Sequence, residues 1–347
     1  MKTFLATMLA IVCLIPVGAQ AGGNDRTGTS AAPELTIPIG ARYLGFAGAG
    51  IAMVNGPEAI FWNPAGVDLA LRDVNAVFAH RKYIADINVN AAAASVRFGF
   101  GTLALSLRSF DIGDIPVTTE TAPDGTGEVL SPNFFVVGAT YSKSLSDRTS
   151  IGVTVNLVNE AFGSVSANGV SFDFGIQYTN LVGVDGLAVG LAVKNIGTSM
   201  KYGGSGLYVS ATATGSDRGE TFYQTGAAAF DLPSLFELGL SYAYRVADEN
   251  KVLVCAAYQN NNYYLDEYRF GIEYSFKDMF FVRGGYVYTA DPAGLPTVRG
   301  ENVFKNFTLG AGIQLADVGG VDLAVHYAFV PANIFDSNHL VTVNIAF

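Results

Sequence analysis

Outside its N-terminal leader-like stretch the 347-residue chain has one cysteine, Cys255, so no intramolecular disulfide can close it even in an oxidising compartment. Histidine is scarce too. His80, His326 and His339 stand far apart without metal-ligand spacing, and neither a metal nor a cofactor is expected. Basic residues are outnumbered, 20 Lys and Arg against 30 Asp and Glu, for a formal charge of −10. Nucleic acid, which requires a basic face, is excluded as a partner. Beyond the leader no uninterrupted apolar run approaches the ~20 residues of a membrane helix, although 50% of the residues are hydrophobic. Catalytic signatures are missing as well. No Ser/His/Asp arrangement accompanies a nucleophile elbow, no motif ties two carboxylates into an acid/base pair, and Gly45-Phe46-Ala47-Gly48-Ala49-Gly50 lacks the strand-loop-helix context of a phosphate loop. The chain is not expected to be an enzyme.

What is present explains the hydrophobicity. Met1 and Lys2 precede an apolar run from Phe4 to Val17 and the cleavage pattern Ala19-Gln20-Ala21, so residues 1–21 read as a secretory leader. Cys13 follows Val12, where a lipoprotein signal needs a small residue, so no lipid anchor is expected. The chain also carries 40 Gly, 17 Tyr and 24 Phe, which suits strands that approach closely and aromatics at membrane interfaces.

From Val74 to the end, residues 74–347, apolar residues alternate with small or polar ones. Ile151, Val153, Val155 and Leu157 share one face against Gly152, Thr154 and Asn156. Phe172, Phe174, Ile176 and Tyr178 oppose Asp173, Gly175 and Gln177, and the same pattern recurs to the C-terminus. Segments of roughly nine to eleven residues suit tilted transmembrane strands, whereas soluble strands run nearer five or six. Tight links around Gly99, Ser144 to Arg148, Asn180 to Asp185, Val246 to Asn250, Lys277 to Asp278 and Ala316 to Gly319 alternate with longer stretches. The longer ones are Asp111 to Asn133, Glu160 to Asn168, Ile196 to Pro233, Asn260 to Glu267, Thr289 to Phe304 and Pro331 to Asn338. The fold expected is all-β: a transmembrane antiparallel β-barrel of about fourteen strands, exported to the outer membrane. Its first strands are expected at Val74 to Tyr83 and Ala85 to Phe98. Val343, Ile345 and the terminal Phe347 look like the insertion signal read by outer-membrane assembly machinery, on the strand that closes the sheet.

Charges on a lipid face are costly, so Asp173, Lys194, Glu237, Arg245, Arg269, Glu273 and Arg283 are assigned to the lumen, with Asn156, Gln177, Gln314, Asp322 and His326. Residues 22–73 lack the alternation yet are apolar and hold the only Trp. They need something to pack against, and a fourteen-strand lumen has room for a hatch entering from the periplasm.

The run from Thr29-Ser30-Ala31-Ala32-Pro33 to Gly40-Ala41-Arg42, then Gly45, Gly48, Ala49 and Ala52, then Trp62-Asn63-Pro64-Ala65-Gly66, resembles the N-terminus of the PorV/PorQ family, itself related to FadL-like channels. The resemblance implies hatch roles for Trp62, Asn63, Pro64, Ala65 and Gly66. It also implies passive uptake of a hydrophobic small molecule, captured by aromatic loops bearing Tyr202, Leu207, Tyr208, Phe222 and Tyr223 and released past a wall kink at Gly99 to Gly101 or Gly284-Gly285. The alternative it implies is a scaffold holding secreted protein cargo, as in type IX secretion. A sealed structural barrel is the third reading.

Overall fold

Period-two alternation over nine to fifteen residues produces fourteen long strands. They are β1 Val74–Lys82, β2 Asn88–Phe98, β3 Gly101–Asp111, β4 Asn133–Ser146, β5 Thr149–Phe162, β6 Val165–Thr179, β7 Leu187–Gly197, β8 Leu235–Ala247, β9 Asn250–Asn261, β10 Glu267–Phe276, β11 Phe280–Thr289, β12 Phe307–Val318, β13 Val321–Val330 and β14 Asn338–Ala346. The computed structural model describes residue 26 and residues 28–212, 214–215, 219–289 and 303–347. The leader, residues 1–21, and most of the loop between Thr289 and Phe304 lie outside the described residues. Each strand pairs antiparallel with its chain neighbours, and β1 pairs with β14 from Asn75↔Ala346 to Lys82↔His339. The sheet is thereby a closed barrel without an edge, the condition for a β-sheet to stand in hydrocarbon.

The two faces differ as the alternation requires. Leu105, Leu157, Ile176, Ile272, Val282 and Leu309 project outward and are exposed, while their chain neighbours Ser106, Asn156, Gln177, Glu273, Arg283 and Thr308 are buried inside. Tyrosine and phenylalanine ring the band. Phe98 stacks on Phe100 at the short-turn end, and Tyr258, Tyr268 and Tyr288 adjoin one another at the long-loop end. An apolar belt of this extent between aromatic girdles is a lipid-facing wall.

Three expectations are refined. The first two strands exist despite the Ala91–Ala94 run, though β2 begins at Asn88 rather than Ala85. Glu160 to Asn168 is no long loop, because β5 and β6 are joined by Gly163 and Ser164 alone and pair as far as Phe162↔Val165. Neither glycine group marks a kink: Gly99 lies in a tight turn, and Gly284 and Gly285 stay in register with both neighbouring strands. Among the described residues, the one register shift away from the turns lies between Phe172 and Phe174 opposite β7, where Asn195 takes a φ of 61°.

Residues 28–73 run through the lumen. Near its start the segment touches the long-loop end: Arg26 donates to Asn262 Oδ1 at 3.0 Å, and the Ala31 N–H to the Asp231 carbonyl at 2.9 Å. It then passes a short helix at Ala41–Leu44 and single turns at Pro57–Phe61 and Pro64–Leu69. Arg72 ends at the short-turn end, paired to Asp322 at 2.8 Å, immediately before β1. The segment therefore joins the wall at the short-turn end and spans the lumen to the other.

Leu105 lies mid-strand on the outer face and is 66% exposed. Leu105→Arg is expected to destabilise the barrel by about 2–4 kcal/mol, measured by reversible denaturant unfolding in lipid vesicles. A change below about 0.5 kcal/mol would contradict the lipid-facing assignment.

Candidate functional site

Asn63 organises the lumen from its lower half. Its position before Pro64 holds it extended, and its Oδ1 accepts from the Ala65 N–H at 3.2 Å, capping the Pro64–Leu69 turn. Its Nδ2 lies 3.1 Å from the Ile51 carbonyl, 3.2 Å from that of Ile176 on β6 and 3.3 Å from that of Leu191 on β7. One fully buried amide thus links two stretches of the segment to two wall strands. The wall makes room with glycine: a Cβ on Gly175 would strike Asn63, and one on Gly152 would strike Pro64. Trp62 packs beside Tyr43, with ring centroids 6.1 Å apart, and its ring lies 5.9 Å from Lys194 Nζ. Pro64, Ala65 and Gly66 are buried with it.

Further hydrogen bonds join the segment to inward side chains. Thr342 accepts from the Ala41 N–H at 2.8 Å, Thr308 from the Ala47 N–H at 3.0 Å, and Gln177 donates to the Val54 carbonyl at 3.0 Å. Glu58 is buried beneath Gly40; burial pushes its carboxyl up to about 7, against the opposing charge of Arg42.

The lumen has two unlike sides. On β7–β11 the ions assigned inward collect into clusters. Lys194 Nζ lies 2.7 Å and Arg269 Nη1 3.4 Å from the Glu237 carboxylate, while Arg269 also meets Glu267 at 2.8 Å. Arg283 Nε donates to Glu273 at 2.5 Å, and its Nη1 lies 3.3 Å from His326 Nδ1. Asp173 stands apart from both, accepting from Asn156 Nδ2 at 2.8 Å and the Asn195 N–H at 2.7 Å. Arg245 joins none of these; it is exposed and donates to the Asp248 carbonyl at the short-turn rim.

The other side is apolar. Towards the long loops, Ala79, Val89, Ala91, Phe110, Val136, Val158 and Ala167 point inward, roofed by Met200 and Leu232. Ala32, Leu35 and Ile39 of the segment fill this chamber. At its margins stand charges that no sequence motif marks. Arg81 donates to the Pro38 carbonyl at 2.8 Å, and Glu34 on the segment meets Glu160 of β5. Their parity was the available signal, since Arg81 shares its face with Val77 and Ala79, and Glu160 with Thr154 and Asn156.

The five loop residues do not form one cluster. Tyr202 turns inward, donating its hydroxyl to Glu160 at 2.9 Å and packing against the apolar chamber. Tyr208, Phe222 and Tyr223 stand on an exposed ribbon, Tyr208–Ala211 paired with Thr221–Gln224, with Leu207 at its base. At the C-terminus Val343 and Ile345 point outward from β14, and Phe347 exchanges backbone hydrogen bonds with Val74.

No protein-family model and no curated protein matches the chain. Solved structures do. The CymD monoaromatic hydrocarbon channel matches at 14% identity with a TM-score of 0.51. The toluene transporters TbuX of Ralstonia pickettii, at 13% and 0.53, and TodX of Pseudomonas putida, at 11% and 0.53, match as well. In each case the match covers 88% of this chain and 96% of the other. At these identities the likeness is one of fold: the chain shares the barrel architecture of these channels.

Proposed function

We propose that this chain is an outer-membrane protein that admits a hydrophobic small molecule passively through its lumen, with residues 22–73 acting as the hatch. The observation that carries this reading is the apolar chamber at the long-loop end. A water-filled porin lines its lumen with polar groups, whereas here Phe110, Val136 and Val158 point inward and the chain's own Leu35 and Ile39 occupy the space between them. A site whose inward residues are apolar and whose present occupant is an aliphatic segment recognises a molecule without charge. The fold shared with hydrocarbon channels supports the same reading.

Asn63 acts in this scheme as the anchor of the hatch, with Trp62, Pro64, Ala65 and Gly66 packed about it. Leaving the segment means breaking its contacts to β6 and β7. A second reading, a scaffold for secreted protein cargo, draws on the exposed ribbon, where Phe222 is 73% and Tyr208 51% exposed to water. Aromatic side chains presented this way suit a protein contact.

Native mass spectrometry of protein extracted from outer membranes in mild detergent separates the two. A hydrophobic adduct is expected, with occupancy reduced about tenfold or more in Val158→Asp, which places a charge in the chamber. A stoichiometric protein partner over an empty lumen would sink uptake and establish the scaffold.

The anchor is tested separately by planar-bilayer conductance. The parent protein, its lumen filled, should not conduct, while Asn63→Ala, which weakens docking by about 1–3 kcal/mol, should show intermittent openings. Steady open-pore conductance in the parent, or a silent Asn63→Ala, counts against a hatch held by Asn63.

A further inference from the structure

We propose that a proton shared between two facing glutamates, Glu34 on the luminal segment and Glu160 on β5, latches the segment into the outer chamber, and that alkaline pH releases it. The latch follows from the burial of both carboxyls and the lack of a donor at Glu34, and does not depend on what molecule the chamber admits.

Glu34 lies in the single turn Pro33–Thr36 and is 5% exposed, and Glu160 is 3% exposed. Neither oxygen of Glu34 has a hydrogen-bond donor among the described residues, although its carboxyl meets that of Glu160. Two buried carboxylates in contact repel strongly if both are ionised, while one proton between them converts repulsion into a short hydrogen bond. A single shared proton therefore explains both the missing donor and the close approach. The partners are not equivalent. The Tyr202 hydroxyl donates to Glu160 Oε2 at 2.9 Å, whereas no donor reaches Glu34, so Glu34 is the partner that needs the proton.

The surroundings are consistent with this division. From β3, Arg108 faces Glu34 and is itself faced by Asp173 of β6. Neither Glu34 nor Glu160 forms an ion pair with any cation among the described residues. Arg108 balances one negative charge at the pair, so a second ionisation has no counter-charge at hand. Burial first, and then the charge of Glu160, pushes the Glu34 carboxyl up to about 8. A proton held more tightly in the docked segment than in the released one stabilises docking. That stabilisation is complete below the ordinary carboxyl value of 4.5, declines as pH rises, and is gone above about 8.

The remaining holds nearby are the Ala31 N–H on the Asp231 carbonyl, at 2.9 Å, and Arg81 on the Pro38 carbonyl, at 2.8 Å. Between them the turn carries Leu35 into the chamber, with Ile39 just beyond the second hold. Ionising Glu34 would lift that turn and uncover the wall formed by Val136 and Val158.

Thr36 is exposed on the same turn and accepts a spin label as Thr36→Cys, in a Cys255→Ala background that removes the buried native thiol. The full barrel in lipid vesicles is followed by electron paramagnetic resonance from about pH 5 to about pH 10. The ratio of mobile to immobile label is expected to rise by about tenfold to a hundredfold between pH ~6 and pH ~9. Glu34→Gln, which mimics the protonated carboxyl and donates permanently to Glu160, should hold the ratio low throughout. Glu160→Gln leaves Glu34 buried and ionisable but removes the facing carboxylate, so it should move the transition to lower pH; either variant is informative if the other does not fold, with heat-modifiable gel migration reporting an intact barrel. A transition that survives in folded Glu34→Gln, one that stays at the parent pH in folded Glu160→Gln, or a parent ratio unchanged across the range overturns the latch.

Discussion

In hydrocarbon every peptide N–H and C=O must find a partner within the protein, and the rest of this structure follows from that constraint. It forces the ladder to close, which β14 does on β1 along eight residue pairs. Closure at fourteen strands leaves a lumen too wide for wall side chains alone to fill. The irregular segment that fills it brings its own backbone groups, which a helix would have satisfied internally and a strand through its neighbours. The wall meets them with inward side chains: Thr342 and Thr308 accept from the segment and Gln177 donates to it, while the segment's own Asn63 donates within it. The polar lower lumen is in this sense a set of substitutes for missing secondary structure.

The two sides of the lumen resist motion differently. On β7–β11 the segment packs beside Lys194, Glu237 and Arg269, and displacing it there would disturb charges that are stable only while paired. Beside β1–β6, towards the long loops, its contacts are largely apolar, with Leu35 and Ile39 against Phe110 and Val158. Apolar contacts can be exchanged for those of a hydrophobic guest at little cost. Exchange of contacts therefore costs less on the apolar side than beside the paired charges.

The strands were legible because lipid on one face and lumen on the other impose a strict period of two, so that even the alanine-rich β2 kept its register opposite β3. The join at Gly163-Ser164 was not legible as a turn. Glu160 and Asn168 flank it with the polarity of a loop, but Glu160 is polar because it faces the lumen. Glycines misled for a related reason. Gly285 pairs regularly in its ladder, and a Cβ there would strike Phe46 and Ala47, so it is small to let the segment lie against the wall, not to bend it. The motif around Asn63 pointed to the residue that ties segment to wall, while its acceptors on Ile176 and Leu191 are backbone atoms that no side-chain pattern announces.

The position of the one interior register shift has its own cause. Strict alternation after Val193, which faces outward, would place Lys194 in the lumen and Asn195 in lipid. The left-handed conformation of Asn195 adds a residue to β7 opposite Phe172 and Phe174, as a bulge does. Two consecutive polar side chains are then directed inward: Lys194 reaches Glu237, and Asn195 donates to the Pro233 carbonyl while its N–H meets Asp173. Pro233 ends the long loop that leads into β8. The irregularity thus keeps an amide out of the bilayer and fixes the base of that loop to the wall, which is why the ladder departs from register at Asn195 and not at any of the glycines.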